Sequence, residues 1–286
     1  MRTFFFVTVD VFTDRRFGGN PLAVFPDARG MSDAEMQALA AEFNLSETTF
    51  VLPPADPKNT ARVRIFNRKN EMPFAGHPNV GTAWVLREHG RALRFEEIAG
   101  LVEVEIADDI ATIAAPQPLS LGPEMPVDLL AGCVGIAPGD VVTAYHKPVS
   151  ASVGNSFVVA EVKGEALTRA TPDIGRFREA AASYTAMGAN RLPLYLYAHD
   201  GERVRARMFS PLSGTIEDPA TGSAATPLVA LLLSLTKDKE RDYLIVQGVE
   251  MGRPSKLQCK AYRAADGIRA KVGGGCVPVL SGTIDL

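Results

Sequence analysis

A seven-residue motif that could bind an anion occurs twice in the chain. Residues 71–77 read E-x-P-x-x-G-H, and residues 217–223 read E-x-P-x-x-G-S, 146 positions later. Each copy follows a strand-like run that ends in phenylalanine and precedes an apolar, helix-compatible stretch. A glycine before a helix permits a turn that aims backbone N–H groups outward, and the helix N-terminus adds partial positive charge. Two such turns could hold a carboxylate and an enolate-like oxygen, whereas a single copy is better explained as a tight turn.

The two copies carry different polar residues. His77 follows Gly76 in the first copy, and it could polarise a carbonyl group or relay a proton. Ser223 follows Gly222 in the second copy, which also contains Asp218. Asp218 could orient His77 or bind a substrate amine; alternatively, it caps the following turn. Because the motif is duplicated, we predict a site at these residues, although a lone histidine is more often structural.

A candidate general acid or base precedes the first motif. Glu47 lies in N-L-S-E-T-T-F at 44–50, between a helix-like segment and an apolar strand. Burial at the start of a strand would raise the pKa of this carboxyl group toward the working range of an acid or base, and a solvated glutamate at a loop edge is the alternative. Ser46 is a candidate substrate-binding residue beside it. At the equivalent position 146 residues later stands Pro193, so only one half brings a carboxylate.

The duplication predicts two lobes. Residues 19–24 resemble residues 154–159, and Asn44 precedes Asn190 by the same 146 positions that separate the motifs. We predict lobes at 1–125 and 130–286, joined by the Pro/Gly-rich stretch near 116–126. The last strand could return to the first lobe.

The hydrophobic pattern predicts an α+β fold. A capping box at 32–35 begins a helix, and a second helix has Pro78 in its first turn and ends at Gly90. Lobe two has helices near 173–186 and 224–236. Strands are predicted near 3–12, 20–25, 48–52, 61–66, 93–97, 101–106, 141–146, 155–162, 192–198, 203–209, 243–247, 256–262, 268–273 and 277–280. Short turns between most strands and one strongly apolar helix per lobe predict curved, mainly antiparallel sheets, each around a central helix.

Composition excludes several classes of function. The net charge of −3, without a basic stripe, argues against nucleic acid binding. The longest apolar run, 227–235, is much shorter than the ~20 residues of a membrane span. Three widely separated cysteines suggest neither a disulfide framework nor a metal site, and they favour the cytoplasm.

Four motifs in order resemble the PhzF-like phenazine-biosynthesis family, which belongs to the diaminopimelate epimerase-fold superfamily. They are N-L-S-E-T-T-F at 44–50, E-M-P-F-A-G-H-P at 71–78, E-D-P-A-T-G-S-A at 217–224 and Q-G-V-E-M-G-R-P-S at 247–255. The resemblance spans essentially the whole chain. It implies two pseudo-symmetric lobes with the active site between them, no metal, no organic cofactor and usually a homodimer. The best-understood member isomerises dihydro-3-hydroxyanthranilate by proton transfer.

The resemblance also implies residue roles. Glu47 matches the family's catalytic acid/base, and the accompanying polar residues match His77, Asp218 and Ser223. The turns at Gly76 and Gly222 match the backbone that binds the substrate carboxylate.

The chain departs from the superfamily's epimerases, which use two opposed cysteines at these turns. Ala75 and Thr221 occupy those positions here. We therefore expect a cofactor-independent isomerase that shifts a proton with one base, acting on a small carboxylic acid. The alternatives are an epimerase or racemase of an amino or hydroxy acid, and a catalytically silent metabolite-binding or interaction protein. The residues do not identify the substrate.

Overall fold

In the computed structural model, which describes residues 1–286, the chain divides into two units. Unit 1 comprises Met1–Ala114 and Gly273–Leu286, and unit 2 comprises Ala115–Val272. No helix in either unit is long and apolar enough to cross a membrane.

Unit 1 contains a mixed sheet and two helices. The helices are α1, Asp33–Phe43, and α2, Gly76–Val85. The strands are β1 Thr3–Val11, β2 Asn20–Phe25, β3 Thr48–Leu52, β4 Ala61–Phe66, β5 Glu71–Met72, β6 Ala92–Glu97, β7 Gly100–Ala107, β8 Ile110–Ala114 and β19 Cys276–Asp285. Their order in the sheet is β19-β1-β2-β3-β4-β6-β7-β8, and β5 pairs with one end of β4. The pairs β2–β3 and β4–β6 are parallel, and the others are antiparallel.

The two ends of the chain meet in unit 1. Strand β19 pairs antiparallel with β1, from Thr3 opposite Asp285 to Val11 opposite Cys276. The pairing continues to the termini, where Arg2 and Leu286 exchange backbone hydrogen bonds of 2.8 and 2.9 Å.

Unit 2 repeats this arrangement with more helices. Its helices are α3 Val127–Cys133, α4 Gly164–Arg169, α5 Ile174–Ser183 and α6 Gly222–Ser234. The strands are β9 Ser120–Glu124, β10 Val141–Val142, β11 Val149–Ser152, β12 Ser156–Val162, β13 Leu194–Asp200, β14 Arg203–Ser210, β15 Thr215–Asp218, β16 Glu240–Gln247, β17 Ser255–Ala264 and β18 Gly267–Gly274. The pairs β12–β13 and β14–β16 are parallel, as β2–β3 and β4–β6 are in unit 1.

The alternation of side chains along the strands explains why each sheet carries helices. In unit 1, Phe25 and Phe50 stack at 5.0 Å and form a core with Met36 and Leu39 of α1. Side chains on the other face of these strands point toward α2. For example, the hydroxyl oxygen of Thr49 on β3 lies 2.9 Å from that of Thr82 on α2. Helix α2 is buried from Gly76 to Ala83, as expected for a helix at the centre of a curved sheet.

The prediction of an α+β fold with one central apolar helix per half is confirmed. The capping box forms, because Ser32 accepts from the N–H of Glu35 and the Glu35 carboxylate accepts from the N–H of Ser32. Asn44 and Asn190 adopt left-handed φ angles of 53° and 54°, so their spacing reflects a shared turn.

Several predicted boundaries are wrong. Helix α2 ends at Val85 rather than at Gly90, and a 3-10 turn follows at Arg87–His89. The strand predicted near 141–146 is reduced to Val141–Val142. The elements β8, β9, β11, α3 and α4 were not expected, and β9 lies within the Pro/Gly-rich stretch.

Replacing Gly248 with alanine should destabilise unit 2 more than the same change at Gly252. Both glycines have left-handed φ angles, 75° and 72°. A Cβ at Gly248 would lie 2.6 Å from the carbonyl oxygens of Pro219 and Arg253, whereas one at Gly252 would meet no atom within 4 Å. We expect Gly252→Ala to cost about 1–2 kcal/mol, the price of the left-handed conformation, and Gly248→Ala clearly more. Equal losses of unfolding free energy in urea titrations would contradict this.

Candidate functional site

An arginine on the preceding strand holds the first glutamate of each motif. In unit 1, Nε and Nη2 of Arg64 each donate to the Glu71 carboxylate at 2.6 Å. In unit 2, Nε and Nη2 of Arg207 donate to Glu217 at 2.7 and 2.9 Å. In both units the guanidinium also lies over the ring of the phenylalanine two positions later, at 5.1 and 4.8 Å. The glutamates of the duplicated motif therefore anchor the turns.

The pair in unit 2 is the more deeply buried. The Arg207 side chain is 7% exposed, against 13% for Arg64. Its Nη1 donates to the carbonyl oxygens of Leu167 and Ala170 at 2.9 and 2.8 Å, which ties the end of α4 to the pair. The Glu250 carboxylate is a second, more distant counter-charge, with its Oε2 3.9 Å from Arg207 Nε. Removing Glu217 would leave the buried guanidinium with this weaker partner alone.

The structure brings four polar residues together in unit 1. His77 Nδ1 lies 3.5 Å from Glu47 Oε2 and 3.5 Å from Asn20 Nδ2. Ser46 Oγ donates to Asn20 Oδ1 at 3.3 Å, so Asn20 connects Ser46 with the histidine. The Glu47 side chain is 17% exposed, which leaves the carboxylate partly accessible.

His77 is uncharged at neutral pH. Burial lowers the pKa of its imidazole to about 3, although a backbone hydrogen bond with Pro21 acts in the opposite direction. Its Nε2 is buried and has no hydrogen-bond partner within the protein. A neutral ring can orient the Glu47 carboxylate, yet it does not hold that carboxylate in an ion pair.

In unit 2 a closed hydrogen-bond network holds Asp218. The Thr221 hydroxyl donates to Asp218 Oδ2 at 2.5 Å. Gln247 Nε2 donates to the Asp218 carbonyl and to Thr221 Oγ1 at 2.7 and 3.0 Å. Gln247 Oε1 accepts from the Tyr195 hydroxyl and from the Thr221 N–H at 3.0 and 3.2 Å. The amide of Gln247 thus makes four hydrogen bonds, and they fix the Asp218 carboxylate relative to the start of α6.

The turn glycines are the first residues of the two central helices. Gly76 begins α2 and Gly222 begins α6, and neither has a positive φ angle. A left-handed conformation is therefore not the reason for glycine; the missing Cβ leaves the first-turn N–H groups uncovered. Neither helix has a side-chain cap, and Ser223 is partly exposed in the first turn of α6.

Ala75 and Thr221, which stand where epimerases carry cysteines, are the N-cap residues of α2 and α6. The three cysteines of the chain lie elsewhere and are buried. Burial raises the pKa of Cys133 and of Cys276 to about 12, and that of Cys259 further. None is a ready thiolate at neutral pH.

Each predicted site residue lies near the start of a central helix. Ser46, Glu47, Gly76 and His77 belong to unit 1, and Asp218, Gly222 and Ser223 belong to unit 2. Their joint action on one ligand stays a prediction. Sequence reasoning missed three polar partners, Asn20, Tyr195 and Gln247, although Asn20 and Gln247 lie in motifs that it singled out.

The sequence profile of the phenazine biosynthesis-like proteins, PhzC-PhzF, matches residues 9–282. The chain belongs to this family.

Curated isomerases align with nearly the whole chain. An uncharacterized isomerase of Mesorhizobium japonicum is 36% identical, and the alignment covers 99% of each chain. Trans-2,3-dihydro-3-hydroxyanthranilate isomerase of Pseudomonas chlororaphis is 37% identical over 98% of this chain and 99% of its own. The Pseudomonas aeruginosa isomerase of that name is 35% identical over 93% of each chain. These relatives confirm the prediction of a PhzF-type isomerase.

Solved structures support the fold. A PhzF-family protein of Bacillus anthracis has a TM-score of 0.89 at 24% identity, and each chain is covered completely. A predicted epimerase of Pseudomonas aeruginosa has a TM-score of 0.79 at 28% identity, with 99% of each chain covered. A hydroxyproline epimerase of Agrobacterium vitis has a TM-score of 0.62 at 13% identity and covers 100% of this chain and 93% of its own. The predicted relation to the epimerase fold is thus confirmed.

Replacing Glu217 with alanine should lower the unfolding free energy by about 1.5–3 kcal/mol, because the buried Arg207 guanidinium loses its bidentate partner and keeps only Glu250, whose Oε2 lies 3.9 Å from Arg207 Nε. The exposed Glu202 is the control, and Glu202→Ala should change stability by no more than about 0.5 kcal/mol. Urea unfolding measures both. A loss below about 1 kcal/mol for Glu217→Ala, the range typical of a surface pair, would show that the pair does not anchor the turn.

The lowered pKa of His77 should appear in the acid stability of the protein. Its folded-state pKa of about 3 lies below the ordinary 6.5, so the unfolded chain binds more protons between these values. The contribution of His77 is therefore full above pH 6.5 and is lost toward pH 3, by roughly 1.4 kcal/mol per pH unit. His77→Gln should reduce the slope of unfolding free energy against pH by this amount between pH 4 and 6. Parallel slopes for the two proteins would show that His77 titrates normally.

Proposed function

We propose that this protein is a cofactor-independent isomerase that moves a proton on a small carboxylic acid, with Glu47 as the acid/base. The observation that carries the proposal is the Glu47 carboxylate, 17% exposed and beside the neutral imidazole of His77. Relatives named for the isomerisation of trans-2,3-dihydro-3-hydroxyanthranilate support a substrate of this class.

The proton transfer needs no group beyond the side chains and backbone. Glu47 removes a proton from a carbon next to an unsaturated or carbonyl group, and the electron pair of the broken C–H bond moves into that conjugated system. Glu47, directly or through His77 or Asp218, returns the proton to another carbon. Substrate and product are isomers, so no oxidant or reductant is required.

The neutral state of His77 favours Glu47 as a base. An imidazolium within 3.5 Å would lower the pKa of the carboxyl group and weaken it as a proton acceptor. A neutral imidazole orients the carboxylate without this penalty.

The first-turn N–H groups of α2 and α6 are proposed to bind the substrate carboxylate and to stabilise the charge that develops in the transition state. That the two turns act on one substrate rests on the duplicated motif and on the family. Ser46 and Ser223 are proposed to contribute hydroxyl groups. A homodimer and a cytoplasmic location stay predictions.

Transfer by a single base is favoured over racemisation by two bases. Ala75 has no ionisable group, and the Thr221 hydroxyl is engaged as a donor to Asp218. Epimerisation is the second candidate, because a solved protein at 28% identity is described as a predicted epimerase. It would invert a stereocentre during exchange with solvent deuterium, whereas the proposed isomerisation moves a double bond.

Replacing Glu47 with glutamine should lower the rate of proton transfer by about 10²–10⁴, because the amide cannot accept the proton. Deuterium incorporation from D₂O, followed by NMR, measures the rate with unsaturated carboxylic acids, trans-2,3-dihydro-3-hydroxyanthranilate first. Glu42→Gln, a change at an exposed position of α1, should leave the rate unchanged. Full exchange in Glu47→Gln would exclude Glu47 as the acid/base, and no exchange in the wild type with any acid would favour a binding protein.

A further inference from the structure

A second glutamate of unit 1 lies on the core-facing side of its strand. Glu97 is the last residue of β6, in which Leu93 and Phe95 are 1% and 0% exposed. Because strand side chains alternate, Glu97 shares the face of these two residues. Both of its carboxyl oxygens are buried, and neither makes a hydrogen bond of normal geometry.

One polar side chain acts on this carboxyl group, and it belongs to α2. Asn79 is completely buried and lies two residues after His77. Its Nδ2 donates to the carbonyl of the N-cap residue Ala75 at 3.0 Å, while its Oδ1 has no partner. The Asn79 side chain faces Glu97 and lowers the pKa of that carboxyl group, against the larger effect of burial.

The turn after Glu97 is also tied to the first motif. The Ala99 N–H donates to the carbonyl oxygen of Pro73 at 3.0 Å. Glu97 and Asn79 thus connect β6 with the segment that leads into Gly76 and His77.

No cation compensates a charge on Glu97. Helix α2 supplies no positive charge, because its one titratable group, His77, is neutral. The face of β4 that points into the core carries the apolar residues Ala61, Val63 and Ile65. The arginines of β4 lie on the other face of that strand. On β7, the residue paired with Glu97 is Gly100, which has no side chain. The neighbouring Glu96 binds the N–H groups of Ala55 and Asp56 and the side chain of Asn59.

The absence of a counter-charge determines the protonation state. Burial raises the pKa of the Glu97 carboxyl group to about 8. At neutral pH the group is an uncharged acid whose carbonyl oxygen can accept a hydrogen bond from the Asn79 amide.

We propose that Glu97 is a positioning residue that, as a neutral carboxylic acid, holds Asn79 and through it the first turn of α2. Ionisation in alkaline solution places an uncompensated negative charge behind this turn. The field of this charge opposes a second negative charge at the turn, so the affinity of the turn for an anion falls. The loss of affinity rests on the proposed function; the coupling of Glu97 to the turn does not.

The coupling is tested by NMR in the absence of any ligand. In the wild type, the amide signals of Gly76 and His77 should shift between pH 6.5 and 9.5 with a midpoint near 8. Glu97→Gln mimics the neutral acid and should abolish the shift, whereas Glu103→Gln, at an exposed position of β7, should leave it intact. Asn79→Ala removes the side chain that lowers the pKa of Glu97 and should therefore move the midpoint to higher pH. Flat signals in the wild type, or an unchanged shift in Glu97→Gln, would overturn the proposal.

If a variant distorts the turn and so alters its NMR signals, the ionisation of Glu97 can instead be measured through the pH dependence of unfolding. The folded-state pKa of Glu97 exceeds the ordinary 4.5, so its contribution to stability is full below pH 4.5 and is lost toward pH 8. The unfolding constant of the wild type relative to Glu97→Gln should therefore rise about tenfold per pH unit in this window. A constant ratio would show that Glu97 ionises normally.

The effect on the reaction is measured separately. With a carboxylate substrate, the wild-type KM should rise by about tenfold per unit above pH 8, whereas the KM of Glu97→Gln stays constant and kcat changes in parallel in the two proteins. If the amides titrate but no substrate turns over, the proposed function fails and the role of Glu97 stands. A wild-type KM that stays constant across pH 8 would overturn the link to anion binding.

Discussion

The bidentate pair between a strand arginine and the motif glutamate determines where each central helix begins. A guanidinium accepts a carboxylate in one plane and from one side, so the pair fixes the direction in which the chain leaves the strand. In unit 2 the same arginine also satisfies two carbonyl groups of the segment around α4. A displaced turn would leave several buried donors and acceptors unpaired at once. The first-turn amides of α2 and α6 are therefore fixed by contacts that take no part in chemistry.

On this common scaffold the two units differ in how completely their polar groups are satisfied. The Asp218, Thr221 and Gln247 network in unit 2 has matching donors and acceptors at each contact. In unit 1, buried side-chain atoms without partners occur at Thr48, His77, Asn79 and Glu97, whereas in unit 2 the Tyr243 hydroxyl is the one such group. Buried polar groups are normally paired, and exceptions tend to mark functional sites. Most of these exceptions therefore lie in unit 1, which also contains Glu47, the proposed acid/base.

The sequence predicted those features that depend on short-range signals. The capping box at Ser32 and both central helices follow from a few neighbouring residues. The end of α2 was placed too late, because Gly90 terminates the 3-10 turn that continues from the helix. Strand β9 was missed because Ser120–Glu124 has exposed side chains and is paired through its backbone with β11.

Contacts between distant segments were beyond the reach of the sequence. Gln247 joins residues 26 to 52 positions away, so no local pattern reveals its four hydrogen bonds. Glu97 illustrates a different difficulty. Its alternation with Leu93 and Phe95 places it inside, whereas its charge argues for the surface, and only the packing of α2 decides between them.

The meeting of the chain ends in unit 1 has a consequence for synthesis on the ribosome. Strand β1 is made more than 250 residues before its neighbour β19, Cys276–Asp285. Unit 2 is uninterrupted in sequence and can fold while unit 1 still lacks a strand. Until then, β1 exposes an unpaired edge that contains three consecutive phenylalanines. Nascent chains that stall before residue 276 should therefore be the forms of this protein most dependent on chaperones.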